Sequence, residues 1–136
     1  MKKFMWLIIS AMLVFSMSTT ATAENVLEAI QKRGTLLVGL EAGYMPFEMR
    51  DKKGDIVGFD VDMTTAMAKA MGVKVKYVNT NWEGIIPALL TKKFDIIASG
   101  MTITQGRNFR VNFANPYITV GQTVVLNKKL AKKVKS

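Results

Sequence analysis

From Thr35 to Leu40 the chain reads Thr-Leu-Leu-Val-Gly-Leu, a short and nearly unbroken apolar run. Such a run is read as a strand buried on both faces. Both faces must then be covered, and its neighbours along the chain supply helices to do so. Asn25 can cap a helix over Val26 to Lys32, with Val26, Leu27 and Ile30 on its apolar side and Gly34 as the stop after Lys32 and Arg33. A second helix opens at or near Asp60. Val61, Met63, Ala66, Met67, Ala70 and Met71 make its apolar face, and Gly72 ends it. Val73 to Val78 alternates Val and Tyr with Lys, a strand pattern. Trp82 to Lys93 reads as a helix, with Pro87 in its first turns if it starts near Glu83. Asp95 to Ser99 is a further strand. Strands that alternate with helices predict an α/β fold, a parallel sheet with helices on its faces.

Shorter elements fill the rest. Ala42 to Pro46 is a loop broken by Gly43 and Pro46. Phe47 to Arg50 and Ile56 to Gly58 flank Asp51-Lys52-Lys53-Gly54-Asp55, which predicts a β-hairpin. Thr104 to Phe109 is a helical turn, Val111 to Phe113 a short extended piece, and Thr119 to Asn127 a longer strand.

The amino terminus is of another kind. Lys2 and Lys3 precede a run from Phe4 to Phe15 that is apolar except at Ser10. Ser16 to Thr22 turns small and polar, and Ala21-Thr22-Ala23 is a small-x-small site. This three-part pattern is that of a cleaved secretory signal peptide, residues 1–23, with Glu24 as the first mature residue. A spanning helix would need ~20 apolar residues, more than this run holds. No cysteine lies near the cleavage site for a lipid anchor. The mature chain is therefore expected free in the periplasm.

Composition narrows the chemistry. The 136 residues include no cysteine and no histidine. That excludes a disulfide scaffold, a thiol nucleophile, an Fe–S cluster and a Cys-based zinc site, and it removes the commonest general base and metal ligand. The ten methionines show no metal-binding spacing and read as signal and core filler. No cofactor and no metal are expected. The net charge is +9, and loss of Lys2 and Lys3 leaves +7. Lys128, Lys129, Lys132, Lys133 and Lys135 account for most of that excess. A lysine run of this kind reads as a solvated segment at a helix start or chain end, and no nucleic-acid partner is expected.

In a parallel α/β sheet, ligands gather at the loops after the carboxyl ends of the strands. Three loops qualify. Glu41, Tyr44 and Phe47 follow Leu40. Asn79, Asn81 and Trp82 follow Val78. Ser99, Gly100, Thr102 and Arg107 follow Ala98. Together they offer aromatic faces, hydroxyls, N–H groups and one arginine. That inventory suits a small ligand with a carboxylate and an amino group. It does not suit bond making, because no base–nucleophile pair is evident.

Gly58-Phe59-Asp60-Val61-Asp62-Met63, continued by Met67-Ala68 and Met71, resembles the signature of the polar amino-acid-binding proteins of ABC importers, the family 3 extracellular solute-binding proteins. Tyr44-Met45-Pro46-Phe47 resembles the family's aromatic loop. Trp82-Glu83-Gly84-Ile85-Ile86-Pro87-Ala88-Leu89 resembles its helix with an aromatic just ahead. Ser99 to Thr104, Arg107, Val111-Asn112-Phe113 and Pro116-Tyr117 resemble its carboxylate-binding loop and sequel. The likeness runs from about Asn25 to Lys129.

The resemblance implies the first lobe of a type II periplasmic-binding-protein fold, a parallel-rich sheet flanked by helices. It implies that Tyr44 and Trp82 sandwich the ligand side chain. It implies that Arg107 anchors the α-carboxylate, since a guanidinium offers two parallel hydrogen bonds that a lysine cannot. Ser99 belongs to the same binding loop, Gly100 and Thr102 would add backbone contacts, and Glu41 matches an acidic position near the pocket in some relatives. Phe47 reads as more structural than ligand-binding, Phe59 as core, and Asp60 or Asp62 as a helix cap. The implied partners are an amino acid and the membrane permease of an ABC transporter, with the protein a monomer. One departure is large. Family members have two lobes and are about twice as long, so residues 24–118 are expected to form an incomplete first lobe and 119–136 the crossover strand and the Lys-rich start of a missing second lobe. The chain then reads as a gene fragment, a truncated frame or an isolated piece. It is expected to be no enzyme and, alone, to bind its amino acid at best in the millimolar range. The alternative is a cyclohexadienyl-dehydratase-like enzyme on the same fold, which would draw its catalytic group from the missing lobe. A sensor-kinase input domain would need a transmembrane helix after the domain.

Overall fold

The computed structural model describes residues 25–131. The signal segment, Lys132, Lys133 and Lys135 lie outside them. The chain divides into two compact units, with the boundary between Gly100 and Met101.

In the first unit, α1 (Val26–Arg33) starts as the sequence predicts. The Asn25 side chain accepts the Leu27 N–H at 3.0 Å, and Gly34 ends the helix at φ 69°, a left-handed turn that suits glycine. β1 (Thr35–Leu40) follows at once. A hairpin comes next, β2 (Met49–Arg50) antiparallel to β3 (Ile56–Val57). Then α2 (Phe59–Ala70) leads to β4 (Lys74–Asn79), and α3 (Trp82–Leu90) leads to β5 (Ile96–Ile97). The main sheet has the order β4-β1-β5 and is parallel throughout, with Thr35 to Leu40 facing Lys74 to Asn79 in register.

The core is where the buried run predicts it. Leu36 and Val38 of β1 pack with Ile30 of α1, Ala68 of α2 and Ala98, and Met63, Met71, Val73, Val75, Tyr77 and Ile96 close around them. Gly39 has a steric reason. A Cβ there would sit 2.4 Å from the ring of Phe94, so only glycine lets that buried ring lie against β1. Asp95 ties the edge. Its carboxylate accepts the Leu37 N–H at 2.7 Å and pairs with Arg33.

Several expectations shift. The inward face of α2 is Asp60, Val61, Thr64 and Ala68, with Met63 and Met71 half-buried, while Ala66, Met67 and Ala70 are exposed. Polar Asp60 and Thr64 could take inward positions because their bonding needs are met there. Thr64 Oγ1 donates to the Asp60 carbonyl at 2.6 Å and lies 3.1 Å from the Tyr77 hydroxyl. Phe59 is not core but 49% exposed, its ring edge-on to Phe47 at 6.4 Å. α3 stops at Leu90, with Pro87 in its second turn and Lys92 left-handed.

The second unit holds α4 (Gln105–Asn108) and α5 (Lys128–Ala131). Residues 119–127 form no strand, against expectation. Thr119, Val120 and Thr123-Val124-Val125 have strand propensity, but a strand exists only where a neighbour completes its ladder, and no described strand pairs with them. Among the described residues no helix is long and apolar enough to cross a membrane.

Candidate functional site

The order β4-β1-β5 sets the site. From β1 the chain crosses to β4 on one side, then returns to β5 on the other. Ligands in such sheets bind where the direction reverses, at the carboxyl ends of the flanking strands. Here those ends are Glu41 after β1 and Ala98-Ser99-Gly100 after β5.

Long-range hydrogen bonds weld the two ends together. The Glu41 N–H donates to Ser99 Oγ at 3.1 Å, and Ser99 Oγ donates to Glu48 Oε1 at 2.6 Å. The Gly100 N–H donates to Asp60 Oδ2 at 2.7 Å. Glu41 Oε1 accepts the Trp82 N–H at 3.2 Å, at the first residue of α3. Asn81, the N-cap of that helix, makes no side-chain capping bond, so the Glu41 carboxylate takes up the capping role from another loop. Ala42 N–H donates to the Asn79 side chain at 2.8 Å and ties β4 to the same rim.

Above this weld lies an aromatic row. The Tyr44 ring is half exposed and stacks at a tilt on Phe47 with centroids 5.1 Å apart. Its underside rests on Gly100. A Cβ there would come within 2.6 Å of the Tyr44 ring, and Gly100 stands at φ +51°, so glycine is required twice over.

The structure therefore brings Glu41, Tyr44, Trp82, Ser99 and Gly100 together on one rim. Two of them differ from expectation in the group they present. Ser99 is buried, and its hydroxyl is engaged by Glu41 and Glu48, so it shapes the loop from beneath. The Gly100 N–H is taken by Asp60, because a buried carboxylate 2.7 Å away outcompetes a solvent-side acceptor. Asp60 is accordingly no cap of its own helix, whose N-cap is Gly58.

In the second unit, Thr104 Oγ1 accepts the Arg107 N–H at 3.3 Å and caps α4. The Arg107 guanidinium donates to the Thr102 carbonyl at 2.7 Å. The Thr102 carbonyl is thus engaged with Arg107, and the pair forms one local unit.

Sequence reasoning missed Glu48. It is fully buried between Phe47 and Met49, and burial raises its pKa from 4.5 to about 7. The Ser99 hydrogen bond pulls that value down, while the charge of Asp60, a hydrogen bond with Asp60 and the charge of Glu41 push it up. An acidic residue between two apolar ones at the start of a hairpin was the available signal. Among the described residues no cluster of acidic side chains could hold a metal ion.

The model of the bacterial extracellular solute-binding proteins, family 3, matches residues 36–134. The chain belongs to this family. A Wolinella succinogenes DSM 1740 protein solved with lysine is 65% identical with a TM-score of 0.71, over 76% of this chain and 45% of that one. The ancestral amino acid-binding protein AncCDT-1, a precursor of cyclohexadienyl dehydratase, is 54% identical with a TM-score of 0.76, over 82% of this chain and 49% of that one. The arginine-bound domain 1 of TmArgBP, in its Phe57Trp form, is 52% identical with a TM-score of 0.69, over 70% of this chain and 74% of that one. The Escherichia coli L-cystine-binding protein TcyJ is 34% identical over 122 residues, which are 89% of this chain and 46% of TcyJ. This family 3 chain spans about half the length of the curated relatives it matches.

Proposed function

We propose that this chain is a ligand-facing lobe of the solute-binding component of an ABC importer, exported to the periplasm by residues 1–23, and that its ligand is a basic amino acid. The observation that carries the reading is the rim at the switch point. A half-exposed tyrosine ring seated on Gly100 offers its π face to a cation, and Glu41 adds negative charge to the same rim. The lysine and the arginine bound by two of the similar proteins are ligands of that chemistry. Trp82 is the second aromatic of the sandwich. Arg107, which donates to the Thr102 carbonyl, is the carboxylate anchor, since a guanidinium can meet a carboxylate through two parallel hydrogen bonds. The partner in the membrane is the importer's permease, and the lobe acts as a monomer. Residues 24–118 form the lobe, and 119–136 lead toward the second lobe that two-lobed relatives carry.

The dehydratase reading is not favoured. AncCDT-1 is described as an amino acid-binding protein, and the rim offers no base–nucleophile pair.

An NMR titration of the mature chain with lysine, arginine, glutamate and cystine tests the proposal. Lysine and arginine should bind in preference to the other two. One lobe encloses little of so small a ligand, so millimolar affinity, about 4 kcal/mol, is expected. Micromolar saturation would instead make the lobe a self-sufficient receptor. Arg107→Lys should weaken binding at least tenfold, ~1.4 kcal/mol, and Arg110→Lys should leave it unchanged. Equal binding of glutamate, or equal effects of the two variants, would refute the assignment.

A further inference from the structure

Beneath the rim lies a feature that ligand capture does not by itself account for. Two fully buried carboxyl groups, Glu48 from the hairpin entry and Asp60 from the first turn of α2, hold adjacent residues of the same loop, and the charge of Asp60 acts on Glu48. Each has one oxygen committed to the loop after β5. Glu48 Oε1 receives the Ser99 hydroxyl at 2.6 Å, and Asp60 Oδ2 receives the Gly100 N–H at 2.7 Å. The other oxygen of Glu48, Oε2, has no donor among the described groups, although it is shut off from water. Two ionised carboxylates cannot bond each other, because both only accept. They would also repel strongly in a site without water.

We propose that Glu48 holds a proton beside Asp60 and that the two act as a positioning pair, clamping Ser99 and Gly100 and, through them, Glu41 and Tyr44 into the rim geometry. A proton on Glu48 supplies the missing donor and removes one of the two negative charges. Asp60 Oδ2 still accepts the Gly100 amide, and Glu48 keeps an acceptor for Ser99. The groups that act on Glu48 from the elements around it are Asp60 on α2, Glu41 after β1 and Ser99 after β5. None of these carries positive charge, and the Ser99 hydrogen bond alone among them favours ionised Glu48. The pair is a property of the fold and stands whether or not the rim takes a basic amino acid.

The direction of the pH effect follows. A carboxyl whose folded value lies near 7 and whose ordinary value is 4.5 binds more protons folded than unfolded between those limits. Its contribution to stability is complete below about pH 4.5, declines as the pH rises through 7, and is gone above that. The rim should loosen as Glu48 ionises in the folded chain, near pH 7.

The test is a carbon-detected NMR titration of the full mature chain from pH 4 to 9. The Glu48 carboxyl carbon and the Gly100 amide should move together with a midpoint near 7, and the Gly100 amide should exchange faster with solvent above it. Glu48→Gln keeps a neutral donor and acceptor, so the Gly100 transition should vanish while the amide stays protected at pH 8. Should that variant fail to fold, Ser99→Ala serves instead. It removes the hydrogen bond that favours ionised Glu48, and the midpoint should rise. A Glu48 carbon that titrates near 4.5, or a Gly100 amide indifferent to the ionisation of Glu48, would overturn the proposal. Loss of lysine binding with these titrations intact would count against the ligand assignment alone.

Discussion

The rim of the first unit and the turn of the second hold their candidate site groups on different kinds of support. At the rim, the bonds that fix Glu41, Ser99, Gly100 and Trp82 join residues 40 to 58 positions apart, and the acceptors are buried or half-buried. In the turn, two bonds of Arg107, to Thr104 and Thr102, join residues three and five positions apart on exposed chain. A site held by distant partners is rigid only while the whole lobe is folded. A site held by near neighbours forms with its own turn and can adapt to a ligand at small cost. The groups of the rim are therefore fixed by the fold of the first unit, and those of the turn by the turn itself.

The largest effect that would break this comparison is Asp60→Ala. It strips the Gly100 amide of its acceptor and Glu48 of its partner in a site closed to water. The loss should be about 3 kcal/mol of unfolding free energy, read by urea denaturation. Asp62→Ala, two residues on and exposed, is the control and should cost ~0.5 kcal/mol or less. Equal losses would mean that the buried weld contributes nothing.

That pair of aspartates also marks where the sequence stops being legible. Periodicity and punctuation placed α1 and β1 almost to the residue, because Asn25, Gly34 and an apolar run act locally. The fold class and the rim loops followed from strand–helix alternation. What stayed hidden were partners fixed only by the fold. Nothing in Gly58-Phe59-Asp60 indicates that the aspartate turns away from its own helix toward an amide forty residues on. Nothing in the sequence marks Thr64 for an inward face either, where its hydroxyl meets the carbonyl of Asp60 and the hydroxyl of Tyr77. The expected strand at 119–127 failed for the same reason in reverse: propensity is local, but a ladder needs a second strand.

The turn should respond more gently. Thr104→Ala removes the cap on Arg107 N–H and should cost about 1 kcal/mol of local order at α4, visible as faster amide exchange at residues 105–108. The denaturation midpoint of the first unit should not move. A shift of that midpoint would show that the turn is not locally supported.

The smallest expected effect probes where the rim's charge acts. Glu41 Oε1 accepts the Trp82 N–H at the start of α3, where the helix dipole favours negative charge and Asn81 supplies no side-chain cap. Glu41→Gln keeps an acceptor oxygen and the side-chain length but loses the charge. The stability cost should be ~0.5 kcal/mol, close to the limit of a denaturation experiment. The same substitution has a sharper second readout. Glu41 is one of the negative charges that hold Glu48 in its protonated form, so its neutralisation should lower the Glu48 midpoint below that of the unaltered chain. A drop in that midpoint with little change in stability would place Glu41 as an electrostatic member of the rim. An unchanged midpoint would confine its influence to the cap of α3, and the rim's shape would then rest on the Glu48–Asp60 pair without help from the loop above it.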